Sequence, residues 1–297
     1  MKAVYLLCNL SRQAHQQAMG RLIWQQQKSV VYAGLMAETR DIHPGMGLRT
    51  MYELLLPEGI GRDAFIALGL QEGYRLKTLD KYVRTTYSVK SSRYRNLLGG
   101  KQFTGVNQLW SSDITYLYCM ERFYYIVMIM DVYSRRIIGY SLADNMRAEN
   151  TLIALKMALA LRGRSHYHDT LIHHSDKGSQ YASDIYTNTL DDHGIQISMC
   201  DEVYENTHIE RLNDTIKNQY LNRRNITSEL QLKQEISRTM ETYNSKRPHK
   251  SLGGMTPVAF EAYLETVPME NRIKMEIYTN NQVENPLDPN QMNLLFI

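Results

Sequence analysis

The run FYYIVMIM at residues 123–130 limits the fold more than any other stretch. Its eight residues are all apolar or aromatic. They are too few to cross a bilayer as a helix and too uniform for a strand with one wet face. A strand buried on both faces needs paired neighbours in its sheet and a layer above and below. The flanking sequence offers them. WSSDITYLYC (110–119) alternates like a strand, and RRIIGYSLAD (135–144) supplies another. AENTLIALKMALALRG (148–163) is helical, with Leu152, Leu155 and Leu159 on one face and Gly163 past its end. TLIHHSD (170–176) is a fourth strand, SDIYTNTLDDHG (183–194) a helix stopped by glycine, and IQISMC (195–200) a fifth strand. ENTHIERLNDTIKNQYL (205–221) is a helix, and a longer one over 228–245 breaks at Pro248.

Three strands, helix, strand, helix, strand and then helices is the order of a ribonuclease H-like α/β fold, a five-stranded mixed sheet flanked by helices. It is expected over 109–265. Residues 1–75 read as a small all-α region. WQQQKSVVYAGLMAETRDIH (24–43) is helix-compatible, HPGMG (43–47) breaks it, and LRTMYELLLPEG (48–59) and GRDAFIALGLQEG (61–73) are short helices. Two short helices across a glycine-bearing turn suit a helix-turn-helix that touches DNA, though plain helical packing gives the same pattern. Residues 76–108 form a basic linker, with Lys77, Lys81, Arg84, Lys90, Arg93, Arg95 and Lys101 against Asp80. Such a segment is either solvated or laid along phosphates. The tail, 266–297, is rich in Asn and Met and has no assignable role from sequence.

Charge divides along the same lines. The net charge is +3, but residues 1–112 hold 15 Lys/Arg against 7 Asp/Glu, and the remaining 185 hold 19 against 24. A basic front suits a polyanion, and an acidic back holds carboxylates for another purpose. The N-terminus lacks the apolar length and cleavage site of a secretory signal, and no stretch is long enough to span a membrane. The three cysteines are scattered with no CxxC pair, so a disulfide framework is unsupported and a reducing cytoplasmic location is expected.

Three acids stand out by position. Asp113 lies inside the first strand, where aspartate is unfavourable. Asp176 ends the fourth strand, just before Lys177 and Gly178. Glu210 lies on the helix after the fifth strand. At about 100° per residue, Leu212, Ile216 and Tyr220 cluster around Ile209 as the core stripe. Asn206, Asn213, Lys217 and Glu210 form a polar stripe along its edge. In a ribonuclease H-like sheet the first and fourth strands are neighbours, so these carboxylates can converge. Hard oxygen ligands of this kind suit Mg²⁺ or Mn²⁺. Two such ions can activate an attacking oxygen and stabilise a leaving one in phosphoryl transfer.

WSSDITYLY, DVYSRRIIGYSL, HHSDKGSQYAS, ENTHIERLNDTIKNQYL and YNSKRPHKSLGGMTP together resemble the integrase-type catalytic core of bacterial insertion-sequence transposases. These are the OrfB-type members of the DDE superfamily, which also holds retroviral integrases. HPGMGLRTMYELL resembles their preceding helix-turn-helix. The resemblance implies Asp113, Asp176 and Glu210 as catalytic and metal-binding residues, with Asp113 bridging two ions. It implies cleavage at element ends and joining of a 3′-hydroxyl to target DNA. It also implies a homo-oligomer, a nucleoid-associated cytoplasmic location, and manufacture in many relatives as a frameshift fusion with an upstream DNA-binding product. The 33 residues between Asp176 and Glu210 are slightly fewer than is common in that family. The shortening falls in CDEVYENTH, where Glu202 and Glu205 are rival third acids.

Lys177 and Lys217 are candidates to hold phosphate beside the metals, and Arg84, Lys90, Arg93 and Arg95 to grip DNA. Asp131, Ser134 and Arg135 are expected to form a buried turn network. Arg247, Pro248 and His249 either touch DNA or pin the tail. His166, His168, His173 and His174 do not make a zinc site: 173 and 174 point to opposite faces of a strand, and no cysteines join them. Two other readings remain open: a nuclease of this fold that hydrolyses without joining, and a non-catalytic DNA-binding protein.

Overall fold

The computed structural model describes residues 11–79, 94–163, 167–168, 170–200 and 206–277. It divides into two units, Met1–Leu79 and Asp80–Ile297. The first unit is helical: α1 (Arg12–Ile42), α2 (Leu48–Leu55) and α3 (Arg62–Gln71). Ser11 caps α1 by accepting from the Ala14 N–H. Tyr32, Met36, Met46, Leu48, Met51 and Phe65 form its small core. Arg40 ties the end of α1 to the carbonyls of Pro44 and Tyr74, which closes the unit.

The second unit contains β1 (Gln102–Phe103), β2 (Leu109–Cys119), β3 (Arg122–Asp131), β4 (Ile137–Ala143), α4 (Ala148–Arg162), β5 (Ile172–Ser175), α5 (Asp184–Asp192), β6 (Gln196–Met199), α6 (Thr207–Asp214), α7 (Glu229–Ser245), α8 (Pro257–Thr266) and β7 (Met275–Glu276). The main sheet runs β4-β3-β2-β5-β6. β2, β3 and β4 pair antiparallel, while β5 joins β2 and β6 joins β5 in parallel. This is the ribonuclease H-like arrangement. Parallel pairs need a crossover on the face of the sheet, and α4 and α5 supply the two.

β3 is the run that opened the sequence, and it alternates between two cores as a doubly buried strand must. Ile126, Met128 and Met130 pack with Ile209, Leu212 and Ile216 of the α6 helix and its continuation, and with Leu232, Ile236 and Met240 of α7. Val127 and Ile129 face Trp110 and the α4 residues Leu152, Ala154, Leu155 and Ala158 on the other side. Gly139 of β4 lies against the α4 backbone, where a Cβ would fall 2.1 Å from the Ala154 carbonyl oxygen. Only glycine permits that approach.

Segments read from sequence as linker and tail contribute to this core. Leu98, Phe103 and Ile277 are buried in it, and β1 pairs with β7 through Gln102↔Glu276. Leu97 N–H donates to Ser198 Oγ, docking residues 94–98 along β6. Arg84, Lys90 and Arg93 lie outside the described residues.

A buried ion network joins the end of β3 to α4 and α8. Arg162 bonds both Asp131 and Glu261, and Glu261 also accepts from Arg136 and Ser134. Asp131 is fully buried and further accepts from the N–H groups of Asn107, Tyr133 and Ser134. Burial works against the charge on Glu261, yet Arg162 and the other donors hold its pKa below the usual value. Replacing Arg162 with methionine would remove the cation bonded to buried Asp131 and leave Glu261 with Arg136 and Ser134. Urea unfolding of Arg162→Met should show a loss of about 3–5 kcal/mol, and a loss below about 1 kcal/mol would contradict this account.

Candidate active site

The register of β2 against β5 positions the first two acids. Ser112 pairs with Ser175 at the end of the parallel ladder, so Asp113 and Asp176 follow side by side on adjacent strands. Asp113 is half-buried and Asp176 is exposed. The Gly178 N–H donates to Asp176 Oδ1 at 3.1 Å, which orients the carboxylate. A Cβ at Gly178 would sit 2.9 Å from that same oxygen. The glycine after Asp-Lys therefore both bonds the acid and leaves room for it.

Two asparagines hold α6 against β2. Asn206, just before the helix, accepts from Ser111 Oγ and donates to the Ser112 carbonyl. Asn213 Nδ2 donates to Asp113 Oδ2 at 2.7 Å. Glu210 lies between them in sequence, on the same stripe, and is exposed. Glu202 and Glu205 lie outside the described residues.

The pKa of Asp113 is pushed up to about 7 by burial first and then by the neighbouring Asp176 charge. The Ile114 N–H opposes this, Glu210 adds to it more weakly than Asp176 does, and Asn213 opposes it. Burial also raises Asp176, against the Gly178 N–H, and raises Glu210. Both of these residues are open to solvent, so the effect there is softer. Like charges crowded on Asp113 favour a cation, and the donors are all hard oxygens. Asn213 Oδ1 adds another, buried without a hydrogen-bond partner among the described residues. The donor chemistry therefore fits a divalent ion. Among the described residues no three His, Cys, Asp or Glu side chains stand close enough to hold one as they are placed. Asp176 and Glu210 are the exposed members of the three.

Lys217 lies beyond the α-helical part of the projected helix. The chain leaves α-helical geometry at Thr215 and runs as a π-helix to Tyr220. The wider turn shifts every later side chain around the axis. The Lys217 ammonium rests 4.7 Å from the centre of the Tyr116 ring, a cation–π contact. Lys177 is half-buried beside Asp176 in the chain, and Arg95 is exposed. The reading that no cysteine joins the histidines is corrected. His174 lies with Nδ1 2.8 Å from Ser198 Oγ and Nε2 3.0 Å from Cys200 Sγ, while His173 meets the Tyr186 hydroxyl across the sheet. The alternation of β5 sends them to opposite faces, and Cys200 reaches His174 because β6 runs parallel beside it. His166 lies outside the described residues.

Residues 104–203 match the family model of an integrase core domain, and residues 193–257 match a second model of that description. The chain is 34% identical over 163 residues to the transposase for insertion sequence element IS904 of Lactococcus lactis subsp. lactis (strain IL1403), covering 54% of this chain and 63% of that protein. It is 31% identical over 232 residues to the transposase for insertion sequence element IS629 of Shigella sonnei, covering 76% of this chain and 77% of that one. Among solved structures it is similar to the HTLV-2 integrase catalytic core domain in complex with magnesium, with 22% identity and a TM-score of 0.44, over 56% of this chain and 99% of that one. The chain belongs to the insertion-sequence transposases with an integrase core domain. No helix among the described residues is long and apolar enough to cross a membrane.

Two tests follow from this geometry. Gly178→Ala should leave the fold intact and lower activity by roughly 10–100-fold, the usual cost of disturbing the support of a metal-binding side chain; unchanged turnover would refute the role given to Gly178. In the metal-free protein, a folded pKa near 7 for Asp113 means the folded state binds a proton that the unfolded state has released. Stability attached to this group is thus present at low pH and is lost as pH rises from the unfolded value toward 7. Asp113→Asn should match the wild type near pH 4 and exceed it above pH 7 by about 1–2 kcal/mol after allowance for solvent screening. Thermal unfolding in chelator across that range checks it.

Proposed function

We propose that the chain is a metal-dependent DNA transposase that cuts the ends of its element and joins the 3′-hydroxyl to target DNA. The observation that carries this is the juxtaposition of Asp113, inside β2 just past the end of its parallel ladder, with Asp176, just past the end of β5, and with Glu210 on a helix tethered to β2 by Asn206 and Asn213. Membership of the integrase-core transposases supports it. Asp113, Asp176 and Glu210 would hold the Mg²⁺ or Mn²⁺ ions, two in number on this reading. When bound, the ions would lower the cost of charge on the attacking and leaving oxygens. Asn213 keeps Asp113 turned toward the site, and Gly178 does the same for Asp176. No nucleophilic side chain is required, because water or a sugar hydroxyl attacks. Lys177, Lys217 and Arg95, with Arg84, Lys90 and Arg93, would contact phosphates. Two element ends must be handled together, so the active form is a homo-oligomer, made alone or as a fusion with an upstream DNA-binding product.

The test is incubation with linear and branched DNA carrying the element's own ends, in Mg²⁺ or Mn²⁺, beside Asp176→Asn and Glu210→Gln. Metal-dependent strand transfer that falls to background in both variants is the expected result. Cleavage without joining would make the protein a nuclease, and activity surviving Glu210→Gln would move the third acid to Glu202 or Glu205. DNA binding without chemistry under either metal would leave a binding protein.

A further inference from the structure

Arg135 was expected in the turn network with Asp131 and Ser134, but it points elsewhere. It occupies the left-handed region, with φ of 61°, and its Nη1 meets His208 Nδ1 of α6 at 2.6 Å. A guanidinium can only donate, so His208 Nδ1 accepts this hydrogen bond. Close by, the loop after α7 brings in Arg247 and His249. The Arg247 guanidinium lies 6.0 Å from the centre of the Tyr220 ring, and His249 packs edge-on against Tyr243, with ring centres 4.9 Å apart. His249 Nε2 is buried without a hydrogen-bond partner among the described residues. Its pKa is held down to about 3 by burial, then by Arg247 and Arg135.

Arg135 thus bonds His208, Arg211 lies one helical turn from His208 on α6, and Arg247 lies near enough to His249 to act on it. Among the described residues, Asp131 is the one carboxylate that acts on Arg135, and none acts on His208 or His249. Asp131 is already engaged by Arg162 and three backbone N–H groups. Arg135 and Arg247 are half-buried and Arg211 is exposed, and like charges held near one another repel. The guanidinium fork matches phosphate oxygens, and a neutral imidazole N–H is a further donor. The group opens to solvent at Arg211, and Lys246 and Lys250 are exposed on the adjoining loop. At about 100° per residue, His208 and Arg211 project from the side of α6 away from Glu210.

We infer that Arg135, Arg211, Arg247 and His249 form a binding site for a backbone phosphate of DNA, across α6 from the carboxylates. The inference rests on the DNA-acting role proposed above and adds to it a place where the strand is gripped beyond the reacting bond. It gives Arg247 and His249 one function where the sequence left two.

The probe is a labelled duplex oligonucleotide of arbitrary sequence, titrated with the full chain at several salt concentrations. For the Arg211→Gln/Arg247→Gln double variant, the slope of log Kd against log salt should fall by about 0.9 for one lost phosphate contact. Arg247→Lys should keep most of the slope while binding more weakly, since charge remains and the fork is lost. Lys156→Gln, an exposed cation on α4, should leave the slope unchanged. Circular dichroism and the unfolding midpoint establish that each variant is folded. A wild-type slope retained by the folded double variant overturns the site and leaves the transposase reading standing. Wild-type chain that shows no salt-dependent DNA binding overturns both.

Discussion

The pairing of β2 fixes everything in the core unit. One edge of that strand meets β3 antiparallel along its whole length, from Trp110↔Asp131 to Cys119↔Arg122. The other meets β5 in parallel over four residues only. Where the parallel ladder stops, the chain turns away after Ser175, and Asp113 and Asp176 are left together. A one-residue slip would turn Asp113 to the opposite face, among the residues that pack on α4. The burial of β3 on both sides forbids that slip, because Met128, opposite Asp113, would have to leave its own core. The apolar run at 123–130 thus acts at a distance on the chemistry: it holds the strand that holds the acid.

The third acid is positioned by different means. Glu210 stands on α6, which is anchored by side-chain amides to Ser111, Ser112 and Asp113. An amide can both donate and accept, so Asn206 bonds a hydroxyl and a carbonyl at once. Asn213 bonds Asp113 without adding a charge to an already crowded group. The same positions filled by acids would raise Asp113 further, and filled by lysines would neutralise the site. Asparagine is the residue that tethers and leaves the electrostatics to an incoming cation.

What the sequence disclosed and what it concealed separate along a physical line. Periodicity carried the strand order, the doubly buried β3 and the polar stripe of α6, because each is a property of consecutive residues. The projection at a constant angle held from Asn206 to Asp214 and failed at Thr215, where i→i+5 turns begin. No local signal announced that change; Lys217, two turns from Glu210 on the projected stripe, has its ammonium over the Tyr116 ring. The contacts of Phe103, Ile277 and Cys200 were equally hidden, since each depends on strands brought together from far apart in the chain. The β1–β7 pair joins residues 174 apart through the Gln102–Glu276 hydrogen bond. A stretch of two residues offers no periodicity at all.

The two clusters of charge on either side of α6 explain each other's persistence. Carboxylates gathered at Asp113 and guanidiniums gathered at Arg135 are each unfavourable in the isolated chain, and the helix between them keeps them from pairing. Had Glu210 and Arg211 exchanged places, each side would carry its own counter-ion and neither would need a ligand. Asp131 shows that this chain can neutralise a buried charge when nothing else is asked of it, surrounding that acid with Arg162 and backbone donors. Opposite charges thus stand on two sides of one helix, Asp113 bonded by Asn213 and Arg135 by His208, with neither neutralised by the other. On the function proposed above, a DNA strand with its metal ions would bring a partner of each sign, phosphate to the guanidiniums and cations to the carboxylates.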